Sequence, residues 1–196
     1  MVRPAAVAIA LAAAWLVAGG ALARIERYGS DGRETSPDGR WSVVSPRASR
    51  EIADEDGAMA WLRGPGMQQR PLASFERSLD VYWPDDRRHV VLKTWDIHRA
   101  TIRTFSLGSR DAIPADRIDR DIERQMKART PKLGTIGDRW ISLGSDRHRL
   151  CVLVDEAGLP PGSEQGSYLE RRQAFALDLA RGTATPIEAC KGARLY

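Results

Sequence analysis

Hydrophobic residues in this chain occur in short runs that are separated by turn-forming residues. Runs rich in β-branched and aromatic residues alternate with clusters of Gly, Pro, Asp and Ser, which is typical of strands joined by tight turns. Because short links join antiparallel neighbours, the predicted fold class is mainly β, with antiparallel meander sheets that are either propeller-blade-like or packed as a sandwich. We predict ten strands: Trp41–Ser45, Ala58–Arg63, Pro71–Phe75, Leu79–Trp83, His89–Trp95, Ala100–Leu107, Arg139–Leu143, Arg149–Asp155, Arg171–Leu179 and Thr183–Ile187.

One amphipathic helix, near residues 114–129, interrupts the predicted strands. Ile118, Ile122 and Met126 are spaced four residues apart and share one helical face, whereas charged residues occupy the other positions. Pro114 suits the first turn, and Pro131 marks the end. We expect this helix to cover one face of a sheet, with binding of a partner as the alternative.

Residues 1–23 have the features of a secretory signal peptide. Arg3 gives a basic start, the run Ala5–Ala18 is uncharged, and Ala21-Leu22-Ala23 places small residues at the positions that signal peptidase recognises. An uncleaved membrane anchor is the alternative, since about 20 apolar residues can span a bilayer. With cleavage, we expect one mostly β domain over residues 24–196, periplasmic or secreted, and no transmembrane segment in the mature chain.

The two cysteines, Cys151 and Cys190, fit that compartment. An even cysteine count in an exported protein favours a disulfide, and two buried free thiols are the alternative. The bond would join the C-terminal tail to a strand. The sequence has no Cys-x-x-Cys motif, which is the pattern that would suggest redox catalysis.

Charge does not point to nucleic acid. The chain has 30 Lys and Arg residues against 26 Asp and Glu, a formal charge of +4, with both signs mixed along it. Because no basic stripe is interleaved with aromatic residues, we expect no nucleic-acid partner.

A weak repeat connects two of the predicted turns. Ser36-Pro37-Asp38-Gly39-Arg40 and Trp83-Pro84-Asp85-Asp86-Arg87 lie 47 residues apart, and each leads into an apolar strand. A fainter third copy is residues 144–151. Periods of 40–50 residues are typical of propeller blades. These turns resemble those of TolB-type and WD40-like β-propeller repeats, over a small part of the chain. The resemblance implies a scaffold for protein contacts and no particular chemistry.

A metal or ligand site is one hypothesis for the histidines. His89 opens a predicted strand, while Asp96 and His98 lie in the link to the next strand. This hypothesis requires the three side chains to converge at one end of a sheet, and ordinary exposed turn histidines are the interpretation that the sequence favours. No His-x-x-x-His pair supports zinc, and we expect no cofactor.

Catalytic motifs are missing from the sequence. A Gly-x-Ser-x-Gly elbow does not occur, and no catalytic residue is assigned. Paired carboxylates for glycoside hydrolysis would have to come from Asp54-Glu55-Asp56, Asp85-Asp86 or Asp155-Glu156, where charged turn residues are expected in any case.

The long Gly- and Pro-rich segment Gly158–Ser167 is the predicted recognition loop, because such loops often carry binding function. Its alternative is a flexible hairpin tip. We expect the cysteine bridge to brace the strands around this loop. Five tryptophans follow the signal segment, and we expect at least three of them in the core: Trp41, Trp61, Trp83, Trp95 and Trp140. The loop residues singled out are Gly158, Pro160, Pro161, Gly162, Ser163, Glu164, Gln165 and Gly166.

Together these patterns favour an exported, non-catalytic binding protein of a bacterial-type envelope, whose partner is another protein there or outside the cell. Two alternatives stay open: a small exported hydrolase without a familiar motif, and a binder of a metal or small molecule.

Overall fold

Twelve strands and one helix form the described part of the chain. The structure, a computed structural model, describes residues 22–26, 32–45, 57–66, 69–108, 113–146 and 149–191. The strands make three antiparallel sheets of four strands each. The predicted fold class, mainly β with antiparallel meander sheets and one helix, is confirmed.

The first sheet is a simple meander in the order β2-β3-β4-β5. Its strands are β2 Gly32–Thr35, β3 Ser42–Ser45, β4 Ala58–Arg63 and β5 Arg70–Phe75.

The central sheet takes its first strand from the N-terminal part of the chain, so that its order is β1-β6-β7-β8. Its strands are β1 Leu22–Glu26, β6 Ser78–Tyr82, β7 His89–Trp95 and β8 Ala100–Ser106. The sequence patterns did not predict β1 or β2. Strand β1 begins two residues before the expected cleavage site, with Leu22 opposite Tyr82 and Ala23 opposite Val81.

The third sheet follows the helix and has the order β12-β11-β10-β9. Its strands are β9 Thr135–Asp146, β10 Arg149–Leu159, β11 Leu169–Asp178 and β12 Thr183–Ile187. Strands β9 to β11 are the longest of the described strands, at 12, 11 and 10 residues.

Two clusters of buried side chains lie on opposite faces of the central sheet. Because side chains alternate along a strand, Val90 and Leu92 pack toward the first sheet, whereas Val91 packs toward the third sheet and the helix. Among the tryptophans, Trp83 is part of the first cluster, and Trp41 and Trp95 are partly buried against the two clusters. The central sheet is therefore covered on both faces.

Helix α1, Arg117–Ala128, closes the gap between the central and third sheets. Ile118, Ile122 and Met126 are buried in the second cluster, as the periodicity predicted. Polar side chains of α1 also bind the edges of two strands. Asp119 accepts the Ile102 backbone N–H of β8 at 3.1 Å, and Asp121 accepts the Ala184 N–H of β12 at 2.9 Å. The helix thus protects two sheet edges that would otherwise expose backbone groups.

No helix within the described ranges has the length and apolar character to cross a membrane.

Candidate functional site

The third sheet has an outer face that turns away from the helix, and its side chains form two rows where β9, β10 and β11 lie side by side. One row runs Trp140, Asp155, Arg172 across the three strands, and the next runs Asp138, Ala157, Glu170. Directly opposite residues in such rows are about 5 Å apart. Six side chains from three strands are thereby held on one rigid surface.

A hollow of about 570 Å³ lies over this surface, and we call it the outer hollow. It is lined by Trp140, by residues 155–157 and by residues 170–172. The small side chain of Ala157 lies between Asp138 and Glu170 in its row, so the surface is lowest there. Around it stand an aromatic ring, carboxylates and a guanidinium, which together offer a stacking surface, hydrogen-bond acceptors and donors.

Exposed hydrophobic side chains gather at this end of the molecule. Trp140 is 44% exposed and Tyr168 is 57% exposed. Ile136 and Trp140 belong to β9, Tyr168 to the link that contacts β9, and Ile97 to the turn between β7 and β8; of the exposed large hydrophobic side chains among the described residues, Trp140 lines the outer hollow and Met59 lies on β4 of the first sheet. Exposed aromatic side chains such as Trp140 and Tyr168 are enriched at protein interfaces.

The predicted recognition loop borders the same end. Gly158 belongs to β10, where the register shifts opposite β9, and residues 160–168 form the link to β11. Two glycines let this link approach β9 closely. A Cβ on Gly134 would lie 2.9 Å from the Pro160 carbonyl oxygen, and a Cβ on Gly137 would lie 2.8 Å from Cε1 of Tyr168. Tyr168 therefore rests on β9, three residues from Trp140, so the end of the loop adjoins the outer hollow.

The opposite face of the same three strands carries a buried ionic cluster. Glu156 accepts a hydrogen bond from Arg171 Nε at 2.8 Å, and its other oxygen lies 3.5 Å from Arg139 Nε. Arg139 Nη1 contacts Asp119 of the helix at 3.1 Å. The side chains of Arg139 and Glu156 are each 1% exposed. Nε and Nη2 of Arg139 have no hydrogen-bond acceptor among the described residues, since the 3.5 Å contact to Glu156 is electrostatic only.

Neighbouring carboxylates therefore have different surroundings. Asp155 and Glu156, considered from sequence as a catalytic pair, point to opposite faces of β10, and Glu156 is held by two arginines. Asp85 and Asp86 lie in the turn between β6 and β7, and residues 54–56 lie outside the described part of the chain.

The structure does not bring the three predicted metal or ligand residues together. His89 opens β7 opposite Ser106, whereas Asp96 and His98 follow the other end of that strand, about 20 Å away for seven residues. The expected convergence is wrong, because a hairpin places the start and the end of one strand at opposite ends of the sheet. Across the described ranges, His, Cys, Asp and Glu side chains form no group of three or more that suits a metal ion.

His89 and His98 instead each contact a nearby carboxylate. His89 Nδ1 lies 2.6 Å from Asp86 Oδ2, and His98 Nδ1 lies 2.9 Å from Asp138 Oδ1. Burial raises the pKa of Asp86, but hydrogen bonds from the His89 ring and from the Arg88 N–H outweigh it and hold that pKa below its usual 3.8. Burial, followed by the charge of Glu76, raises the pKa of Asp96.

The disulfide joins Cys151 to Cys190, with a Cα–Cα distance of 5.8 Å. The predicted bond is therefore present. It does not brace the strands around the recognition loop, because Cys151 is near the start of β10 and Gly158 near its end, about 23 Å apart. It ties the C-terminal segment to the other end of the third sheet.

A second concavity, of about 700 Å³, lies at that other end. It is bounded by Tyr82, by the turn at residues 84–86 and by Leu150 and Leu177. Burial raises the pKa of Tyr82. The exposed hydrophobic side chains lie at the opposite end, so the outer hollow is the better candidate for a binding site.

Comparison with known proteins does not assign the chain to a family. No protein-family model matches it, and neither a curated protein nor a solved structure shows significant similarity. The resemblance to propeller repeats remains a prediction.

Proposed function

We propose that the mature chain is an exported, non-catalytic binding protein that holds another protein of the envelope or the cell exterior. Its binding surface is the outer hollow with the adjoining side chains of Trp140 and Tyr168. The exposure of two aromatic side chains, Trp140 and Tyr168, at a concave surface lined by charged residues is the observation that carries this proposal. Trp, Tyr and Arg are the residue types that dominate the energetics of protein interfaces.

Two further observations support export. The Cys151–Cys190 bond belongs to an oxidising compartment, and residues 1–23 have the composition of a signal peptide. Cleavage after Ala23 would leave Arg24–Glu26 of β1 paired with the central sheet. We expect protein recovered from the periplasm or medium to begin at Arg24 and to show no free thiol after denaturation. An intact N-terminus with two titratable thiols would contradict export.

Site-specific photo-crosslinking in the native host tests the binding surface. A photoreactive phenylalanine analogue replaces Tyr168 in one strain and Met59 in another. Met59 is the matched control, because it is also exposed, at 39%, but lies on β4 of the first sheet. We expect one protein to be captured in near-stoichiometric amounts from position 168 alone, and Trp140→Ala in the same strain to abolish its capture.

Equal capture from positions 168 and 59 would refute this surface as the binding site. Capture of background proteins alone would refute a protein partner and favour the alternatives of a small exported hydrolase or a small-molecule binder.

A further inference from the structure

The outer hollow carries an excess of negative charge beside an exposed indole ring. Asp155 and Glu170 line the hollow and Asp138 adjoins it in the next row; these three carboxylates accompany one guanidinium, that of Arg172, so the two rows carry a formal charge of −2 when histidine is not counted. Asp155 is paired with Arg172. Glu170 has no ion-pair contact within 4 Å among the described residues, although its charge acts on Arg172, and Asp138 contacts the ring of His98. The surface therefore carries more negative than positive charge.

A similar combination of a carboxylate and an indole ring occurs elsewhere in the molecule, and there it includes a cation. In the central sheet, Lys93 Nζ lies 2.6 Å from Asp80 and 5.1 Å from the centre of the Trp95 ring, and it is almost fully buried. An ammonium group, a carboxylate and an indole thus satisfy one another there. At Trp140 the ring and the carboxylates face solvent, and the described residues place no cation over that ring.

We propose that the outer hollow binds a basic side chain, an arginine guanidinium or a lysine ammonium, presented by the partner polypeptide. This inference rests on the proposed function and adds the chemistry by which the partner is recognised. A guanidinium stacks on the Trp140 ring by a cation–π contact and donates hydrogen bonds to Glu170 and Asp138. Charge complementarity of this kind sets specificity and association rate at protein interfaces.

Arginine suits the geometry better than lysine. Its planar group covers the indole face while its N–H groups reach carboxylates on two sides, whereas an ammonium group acts as a compact point charge. A neutral saccharide would also stack on Trp140, but it would gain nothing from the net charge of −2 around the ring. The carboxylate excess therefore favours the cation.

The experiment follows the Trp140 indole N–H resonance in ¹H–¹⁵N correlation spectra of the mature, disulfide-bonded protein, assigned by its loss in Trp140→Phe. The probes are a capped tetra-arginine peptide, a capped tetra-glutamate peptide and chitotetraose. We expect tetra-arginine alone to shift this resonance, and to bind more weakly when salt is raised from about 20 to about 300 mM.

The charge requirement is tested with the double variant Asp138→Asn, Glu170→Gln. We expect its affinity for tetra-arginine to fall at least about fivefold, because two exposed attractions are lost. Asp85→Asn is the matched control, since Asp85 is an exposed carboxylate in the turn between β6 and β7, away from the outer hollow, and the affinity of this variant should stay at the parent value. A shift with chitotetraose in place of tetra-arginine would overturn the proposal in favour of a glycan, and equal tetra-arginine affinity in the double variant and the parent would overturn it outright.

The two proposals fail separately. If photo-crosslinking at position 168 captures a protein equally well in the double variant, the binding protein stands and the basic recognition group is wrong. If no protein is captured while tetra-arginine binds as expected, the hollow recognises cations but the protein partner is refuted.

Discussion

The two faces of the third sheet carry almost the same chemistry at neighbouring positions, yet their surroundings differ completely. On the inner face, Glu156 pairs with Arg171, and both side chains are at most 4% exposed. On the outer face, Asp155 pairs with Arg172, whose side chain is 69% exposed. Each pair joins the same two strands, one residue apart. Position along the strand alone therefore decides which pair is buried beneath the helix and which faces solvent.

This difference separates the roles of the two pairs. The inner pair lies in a region of low dielectric, where an ion is costly unless its partner is present. It links β10 and β11 to Arg139 and, through Asp119, to the helix. The outer pair lies in water, where its attraction is weak and its groups are available to a ligand. The inner face holds the fold together, and the outer face is available for recognition.

The largest predicted effect is loss of the inner carboxylate. Glu156→Ala leaves Arg139 and Arg171 buried without their shared partner, and we expect the free energy of unfolding to fall by about 3–5 kcal/mol. Urea denaturation followed by tryptophan fluorescence measures it. Glu156→Gln keeps the side-chain volume but removes the charge, so we expect it to show most of the same decrease in the free energy of unfolding. A loss below about 1 kcal/mol for Glu156→Ala would mean that the inner and outer pairs do not differ as argued.

The next effect concerns the disulfide, which closes a segment with a sequence separation of 39 residues at the end of the sheet away from the outer hollow. Replacing both Cys151 and Cys190 by Ala should lower the free energy of unfolding by about 3–4 kcal/mol, because the unfolded chain regains conformational entropy. Since the bond lies at the far end, tetra-arginine binding should be unchanged at temperatures where the variant is folded. Loss of that binding in the folded variant would contradict the separation of the two ends.

Much of the fold follows from sequence pattern. The turn chemistry and apolar runs predicted ten of the strands, and the helical periodicity of Ile118, Ile122 and Met126 predicted the buried face of α1. Strand β1 was missed because Leu22 and Ala23 also fit the end of a signal peptide. Strand β2, Gly-Arg-Glu-Thr, was missed because it has neither apolar alternation nor strong β-propensity.

The candidate site was harder to predict, for a physical reason. Alternation shows that Arg139 and Trp140 lie on opposite faces of β9, but hydrophobicity then assigns the faces wrongly. Arg139 is buried because Glu156 and Asp119 compensate its charge from another strand and from the helix, while Trp140 is exposed. Those partners lie 17 and 20 residues away, and only tertiary structure brings them together. Composition drew attention to the loop Gly158–Ser167, whose recognition role stays a prediction, but it did not predict the exposed surface around Trp140.

A pair of intermediate exposure, Asp86 with His89, should show a pH-dependent contribution. The pKa of Asp86 is held below 3.8, so its ionised form stabilises the fold above pH 3.8, and this contribution is lost as pH falls through the lowered value. Unfolding free energies of Asp86→Asn and the parent should therefore differ most near neutral pH and converge in acid. The pKa of Asp96 is raised, so its ionised form is less favourable in the folded protein than in the unfolded chain. Asp96→Asn should therefore be at least as stable as the parent at neutral pH. Equal pH profiles for the two variants would contradict both assignments.

The smallest effect is expected at the outer pair, and it completes the comparison with the inner one. Asp155→Ala and Arg172→Ala should each change the free energy of unfolding less than any other variant proposed here, because solvent and salt screen the exposed attraction. A double-mutant cycle isolates the coupling between the two side chains, which should be small and decline with added salt. The same cycle on Glu156 and Arg171 should give a larger coupling that salt hardly alters, since those groups are not in contact with the solvent ions. If the outer coupling equals the inner one, the outer pair is part of the structural framework, and Arg172 and Asp155 are not free to rearrange around a ligand.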